Sequence, residues 1–290
     1  MDRPADALPI RPGFEGIGPS RVRMHGGNVH QEFQRRWGAG SKVLAGEVFC
    51  ADGAVADATT VLPAGAVVYL YRDLPDEVEV PFDVPVIHRD DDILVVDKPH
   101  FLATMPRGGH VVQTALVRLR RDLGLPELSP AHRLDRLTAG VLLFTVRPQV
   151  RGAYQSMFAA GRVRKTYLAH SSSAADLAFP RTVVSRIIKR RGSLQAIEEP
   201  GEPNAETLVE QLGAGLYRLT PRTGRTHQLR VHMASLGLPI TGDPLYPKVV
   251  EVAADDFSCP LRLLAKTLEF VDPLTGTRRR FDSSRRLASG

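Results

Sequence analysis

Two uninterrupted apolar runs constrain this chain more than any other feature. Ile93 to Val96 reads ILVV, and Gly140 to Val146 reads GVLLFTV. A strand with one wet face alternates apolar and polar residues, whereas a short continuous run describes a strand covered on both faces. Something must therefore pack on each side of the sheet. Between the runs, QTALVRLRRDLGL places Leu116, Leu119 and Leu123 at helical spacing with arginines on the other side. Pro148 then opens a predicted helix, PQVRGAYQSMFAAG, because proline suits a first helical turn and Gly161 can close it. KTYLAH and LYRLTP read as strands, and residues 181–205 as a basic hairpin followed by a loop. RTHQLRVHMASLG reads as a helix with Leu229, Met233 and Leu236 on one face, ended by Gly237 before Pro239. The fold class is α+β, a mixed sheet flanked by helices and loops, with a small N-terminal appendage.

That appendage is less periodic. Residues 1–42 are rich in Gly, Pro and Arg and read as a basic arm, with one short helix at VHQEFQRRWG. Residues 43–80 hold short apolar runs, Gly-rich turns and a closing AVVYLYR strand, a small β-rich module. Three prolines between Pro75 and Pro85 form the link into the main domain, residues 81–290.

Several function classes are excluded early. No apolar run among the 290 residues approaches a membrane span of about 20 residues. The N-terminus lacks the apolar core of a signal peptide, and Cys50 and Cys259 have no ligand spacing. A cytoplasmic protein without disulfides is expected. There is no Walker loop, no G-x-G-x-x-G between strand and helix, and no G-x-S-x-G elbow. His227 and His232 stand five residues apart, a poor spacing for a shared metal on a helix. The expectation is side-chain chemistry with no cofactor and no metal. The 38 Lys and Arg exceed the 32 Asp and Glu, for a net charge of +6. They cluster at Arg118, Arg120 and Arg121, at Lys189, Arg190 and Arg191, at Arg278 to Arg280, and at Arg285 and Arg286. Such clusters suit a polyphosphate partner.

The densest polar segment is SPAHRLDRLTAGVLLF, where His132, Arg133, Asp135 and Arg136 crowd a turn that feeds a buried strand. A carboxylate flanked by two arginines ionises easily, and is either a nucleophile or a structural ion pair. The second is PRTGRTHQLRVH, with Arg222, Arg225 and Arg230 around a helix start. Cations there oppose the helix dipole unless an anion lies nearby.

These segments carry a resemblance. HRLDRLTAG followed by VLLF resembles the central motif of the RluA-type pseudouridine synthases. VVDKP (Val95 to Pro99) resembles the family's first motif, and RKTYLA (Arg164 to Ala169) its tyrosine motif. GRTHQLRVHMASLGLPITGDPLYP (Gly224 to Pro247) resembles its third, and LEFVDPLTGTRRRF its closing strand pair. The likeness covers residues 85–282. One departure is local: where the family reads K-P-x-G-L, Lys98-Pro99 is followed by His100-Phe101-Leu102. Many relatives also carry a module like that of ribosomal protein S-four. Residues 43–74 resemble its second half, with only one helix of the usual pair in view.

The resemblance implies an enzyme that isomerises uridine to pseudouridine within structured ribosomal or transfer RNA, acting as a monomer. Asp135 matches the catalytic aspartate, Tyr167 the tyrosine that stacks on the flipped uracil, and Arg230 the basic residue paired with that aspartate. Arg133 matches an arginine inserted where the base leaves its stack, and Leu229 an apolar residue of the pocket. His132, Arg136, Arg225, Lys189, Arg190 and Arg191 are expected on the RNA. Lys98 is expected to support the site. The base must be detached, turned and rejoined without escaping to water, which calls for a closed apolar pocket. One carboxylate suffices, as a nucleophile toward the base or the anomeric carbon or as the base that removes a sugar proton. Two rivals remain: a catalytically silent RNA-binding or ribosome-assembly factor, and a base-releasing hydrolase, which would want a second carboxylate.

Overall fold

The computed structural model describes residues 16–71, 73, 74 and 76–287. Residues 1–15 of the expected basic arm lie outside them. The chain divides into two compact units, Met1–Asp76 and Glu77–Gly290. Among the described residues no helix is long and apolar enough to cross a membrane.

The first unit runs β1 (Ser20–Arg23), β2 (Gly27–Asn28), α1 (Val29–Trp37), α2 (Gly40–Leu44), β3 (Val48–Cys50), β4 (Val61–Leu62) and β5 (Val67–Leu70). The boundary expected after residue 42 falls inside α2, and β1 pairs with β5, so the described part of the arm and the module share one sheet. Two helices are present rather than one. The second, GSKVL, is too short to show a period in the sequence. The Asn28 side chain caps α1 by accepting from Gln31 N, and Gly38 ends it in the left-handed region at φ 66°. Met24, Val29, Phe33, Val43, Val48 and Val68 close a core of their own.

The second unit holds β6 (Val86–Arg89), β7 (Ile93–Lys98), α3 (Ala115–Leu123), β8 (Ser129–Pro130), β9 (Ala139–Thr145), α4 (Arg151–Ala159), β10 (Val163–His170) and β11 (Arg181–Ser185). It continues with β12 (Ile187–Ile188), β13 (Ile197–Glu198), β14 (Ala205–Gly213), β15 (Leu216–Pro221), α5 (Gln228–Ser235), β16 (Leu263–Val271) and β17 (Arg278–Asp282). Ten strands form one mixed sheet, ordered β11-β14-β15-β10-β16-β9-β7-β6, with β17 on β16 and β8 on β9. All its pairs are antiparallel except β9 with β16.

The two apolar runs are the buried heart of this sheet, every residue of β7 and β9 being buried. Leu94, Val96, Leu142 and Phe144 face one core, with Leu116 and Leu119 of α3 and Leu229 and Met233 of α5. Ile93, Val95, Val141 and Leu143 face the other, with Tyr154 and Met157 of α4. The alternation of a strand is thus satisfied by apolar residues at every position because each face has its own helical cover. β14 was not expected. Its pattern AETLVEQLG is buried only at Ala205, Thr207 and Val209, and no element is expected from the sequence over residues 206–213.

β9 and β16 meet through only two pairs, Ala139 with Leu264 and Gly140 with Ala265. At Gly140 φ is +117°, and a Cβ would lie 2.2 Å from the Ala265 carbonyl oxygen. Gly140→Ala is therefore expected to cost more than about 3 kcal/mol, combining backbone strain with a forced separation of the strands. Gly152 of α4 has nothing within 4 Å of its virtual Cβ, so Gly152→Ala should stabilise by up to about 1 kcal/mol. Urea midpoints of the two variants check both signs; a Gly140→Ala protein as stable as the parent would mean that the two strands can separate freely.

Candidate active site

The loop that leads into β9 is held down residue by residue. Ala131 N donates to Leu143 O, and the His132 ring accepts from Leu143 N at 3.2 Å. The Thr104 hydroxyl grips both sides of Leu134, donating to its carbonyl at 2.8 Å and accepting from its N–H at 3.1 Å. The Asp135 carbonyl closes a turn with Thr138 N. The Arg136 carbonyl accepts from Lys98 Nζ at 3.3 Å, and the Leu137 carbonyl from His100 Nδ1 at 2.7 Å. Leu134 and Leu137 point into the first core. The Asp135 carboxylate is left a third exposed, 33%.

Across the strand junction, the register of β10 shifts between Thr166 and Tyr167, a bulge that re-aims the tyrosine. Tyr167 pairs with Ala265, which in turn pairs with Gly140, so the tyrosine and the Asp135 loop are brought together from opposite sides of β16. Tyr167 is half-buried against the first core, where Leu229 is buried. Burial, with a contribution from the Asp135 charge, raises the phenol pKa, so the ring enters as a neutral phenol.

α5 begins at His227, a non-glycine residue in the left-handed region at φ 58°. Gln228 fixes that start: its amide donates to Glu206 O and the Thr207 hydroxyl, while its carbonyl accepts from the Thr223 hydroxyl and Arg225 N. One turn along, the Arg230 guanidinium is 2% exposed and stands 3.8 Å from Asp135 through Nη1. That is ion-pair range but beyond a hydrogen bond. Its closer partner is Asp243, which accepts from Nε at 2.8 Å and from Nη2 at 2.6 Å and is itself fully buried. Sequence reading missed Asp243. The available signal was that it is the only carboxylate between Arg230 and Pro247. Tyr246 underlies the guanidinium at 5.2 Å, and its hydroxyl is clasped by both backbone groups of Ala196, which ties the β12–β13 hairpin to this loop. His227 Nδ1 approaches the same hydroxyl at 3.0 Å.

Lys98 is fully buried and donates to the carbonyls of Pro99, Leu102 and Arg136. Burial pushes its pKa down to about 7, against a smaller upward pull from Asp135. At the departure from K-P-x-G-L, Phe101 adopts φ 65° and so takes the left-handed turn that a glycine would. Its ring stacks on Phe82 at 6.2 Å and meets Phe257 edge-on at 5.3 Å.

The expected RNA contacts divide. Arg133 is exposed and Arg136 half-buried, and neither has a carboxylate partner among the described residues. Arg225 is exposed and steadies its loop through Nε to Asn204 O. On the β12–β13 hairpin, Lys189 is engaged by Ser193 O and Arg190 by Glu199, while Arg191 projects outward. The His132 ring stacks on Phe158 of α4 at 4.4 Å and accepts from Leu143 N, so it is engaged in holding β9. A recess of about 550 Å³ beside Arg164, Leu168, Arg218 and Arg280 contains none of these groups. Among the described residues, no cluster of His, Cys, Asp or Glu could hold a metal ion.

A third-exposed acid on an anchored loop, a strand tyrosine and a buried helix arginine are thus gathered on one mixed sheet. A family model described as RNA pseudouridylate synthase matches residues 92–235. The ribosomal large subunit pseudouridine synthase D of Xanthomonas campestris is 31% identical over 256 residues, covering 78% of this chain and 74% of that protein. The mitochondrial tRNA pseudouridine(32) synthase of Saccharomyces cerevisiae is 32% identical over 205 residues, 66% of this chain, but the match spans only 43% of that longer protein. The structure of human RNA pseudouridylate synthase domain containing 1 superposes with a TM-score of 0.55 at 25% identity, over 70% of this chain and 84% of that one. The chain belongs to the RluA-type RNA pseudouridine synthases.

His132 supplies a test of the loop's anchorage. Burial first, then the Lys165 charge, push its imidazole from 6.5 down to about 3. Between those values the unfolded chain binds a proton that the folded one refuses, so the contribution is whole above pH 6.5 and is lost as pH falls toward 3. His132→Gln should show a shallower fall of the urea midpoint across that window. Parallel curves for variant and parent would mean that the ring is not held neutral.

Proposed function

We propose that this chain isomerises uridine to pseudouridine in a structured ribosomal or transfer RNA, with Asp135 as the catalytic carboxylate on a base turned out of its stack. The observation that carries the reading is the partly exposed Asp135 carboxylate facing buried Arg230 at 3.8 Å. In the reaction the bond from uracil N1 to the ribose anomeric carbon breaks, the base turns, and a bond from C5 to that carbon forms. C5 gives up its proton and N1 takes one, so substrate and product are isomers.

The remaining residues fit this task. Leu229 and Tyr167 supply an apolar wall and a ring face for the detached uracil, whose escape to water would end the reaction. The raised phenol suits stacking better than service as a resident base. Extruding a base costs a few kcal/mol of unstacking, which the unpaired Arg133 offsets by entering the gap. Arg136, Arg225 and the hairpin cluster Lys189 to Arg191 meet phosphates, whose contacts dominate affinity for RNA. The relatives named for transfer RNA and for the large ribosomal subunit support both substrate classes.

Tritium release from RNA labelled at C5 of uridine tests the reading. The parent should release label; Asp135→Asn should release none while binding RNA within about threefold of parental affinity. Normal release by that variant would remove Asp135 from the chemistry. Free uracil in place of pseudouridine would make the protein a hydrolase. Replacing Lys189, Arg190 and Arg191 together by alanine should weaken binding and lower the slope of log affinity against log salt by about 1 to 2. An unchanged slope would show that the hairpin does not face RNA.

A further inference from the structure

We propose that Asp243 is a positioning residue: it holds Arg230 by one edge so that a single nitrogen, Nη1, is presented to Asp135. The inference rests on Asp135 being the catalytic carboxylate.

The guanidinium has two edges that can each grip a carboxylate with parallel hydrogen bonds. If Arg230 offered one to Asp135, both oxygens of the acid would be tied into short bonds and withdrawn from the substrate. Instead Asp243 occupies the Nε–Nη2 edge, at 2.8 and 2.6 Å. Nη1 is left at 3.8 Å from Asp135, near enough to orient the charge and too far to bond it. Asp243 cannot follow the arginine if it swings. Its Oδ1 also accepts from Leu245 N at 2.8 Å and from Tyr246 N at 3.2 Å. Tyr246 in turn is locked to Ala196 and lies beneath the guanidinium. Arg230 and Asp243 thus form a buried pair with no net charge, and Asp135 keeps its negative charge for the substrate. A lysine could not divide itself in this way, being a point charge without edges.

The test is a double-mutant cycle on single-turnover isomerisation, using the full chain and a transcript that the parent modifies. Asp243→Asn keeps the shape of Asp243 and every bond to Oδ1, but it loses the negative charge and sets an amide NH2 against Arg230 Nε, which breaks the two-point grip. It should lower the rate constant at saturating RNA by about 30-fold or more, with RNA affinity within about threefold. Arg230→Lys should cost a similar factor. If Asp243 acts through Arg230, the double variant is no slower than the slower single one. Losses that multiply, a rate within threefold of the parent for Asp243→Asn, or a loss confined to affinity would each overturn the inference. Should Asp243→Asn not fold, Asp243→Glu takes its place, judged by the same non-additivity. Turnover by Asp135→Asn would overturn the underlying reading and this inference with it. A silent Asp135→Asn beside multiplying losses would overturn this inference alone.

Discussion

The second unit depends on a joint two residue pairs long. β6, β7, β8 and β9 make one half of the sheet, and β10, β11, β14, β15, β16 and β17 the other; they meet only where Ala139 and Gly140 run parallel to Leu264 and Ala265. A parallel contact so short offers few hydrogen bonds, so its strength comes from the close approach that Gly140 permits and from the cores on either face. The site is a consequence of that joint. Asp135 stands five residues before Gly140 on one half, and Tyr167 pairs with Ala265 on the other. A separation of the strands by the width of a methyl group would part the acid from the ring.

Rigidity is distributed unevenly around this joint. The backbone of residues 131–138 is anchored from β9, from Thr104, from Lys98 and from His100, so Asp135 can be aimed without its own side chain being bonded. Such anchoring by groups that do not touch substrate is what holds a reacting atom to fractions of an ångström. Arg133 lies in the middle of the same loop, and its side chain is exposed with no partner among the described residues. A fixed acid and a free arginine side chain two residues apart are compatible because the anchors on Leu134, Arg136 and Leu137 act on carbonyls and N–H groups and leave the Arg133 and Asp135 side chains unbonded.

Sequence patterns reported what is periodic or chemically dense. The runs in β7 and β9, the Leu229 and Met233 face of α5 and the Asp135 motif were all legible because each is a local arrangement of residue types. Three features were not. Asp243 lies thirteen residues from Arg230 beyond a helix end and a turn, so only the fold makes it the arginine's partner. β14 alternates too softly to look like a strand until β11 and β15 pair with it. His132 stands in the same dense polar motif as Asp135, three residues before it, but its ring stacks on Phe158 and holds β9, a contact only the fold provides.

Phe101 makes the converse point, that a departure in sequence need not be one in structure. Lys98 donates to the carbonyls of Pro99 and Leu102 from the same nitrogen, and between the two the chain turns through Phe101 in the left-handed region. Glycine supplies that conformation without strain, whereas a phenylalanine pays about 1 to 2 kcal/mol for it. Burying the ring between Phe82 and Phe257 returns about 1.5 to 3 kcal/mol, enough to offset the strain. The loop therefore keeps the geometry that Lys98 demands, and Lys98 keeps its hold on Arg136 next to the acid. What this position selects is a backbone conformation, and glycine is only the commonest residue that satisfies it.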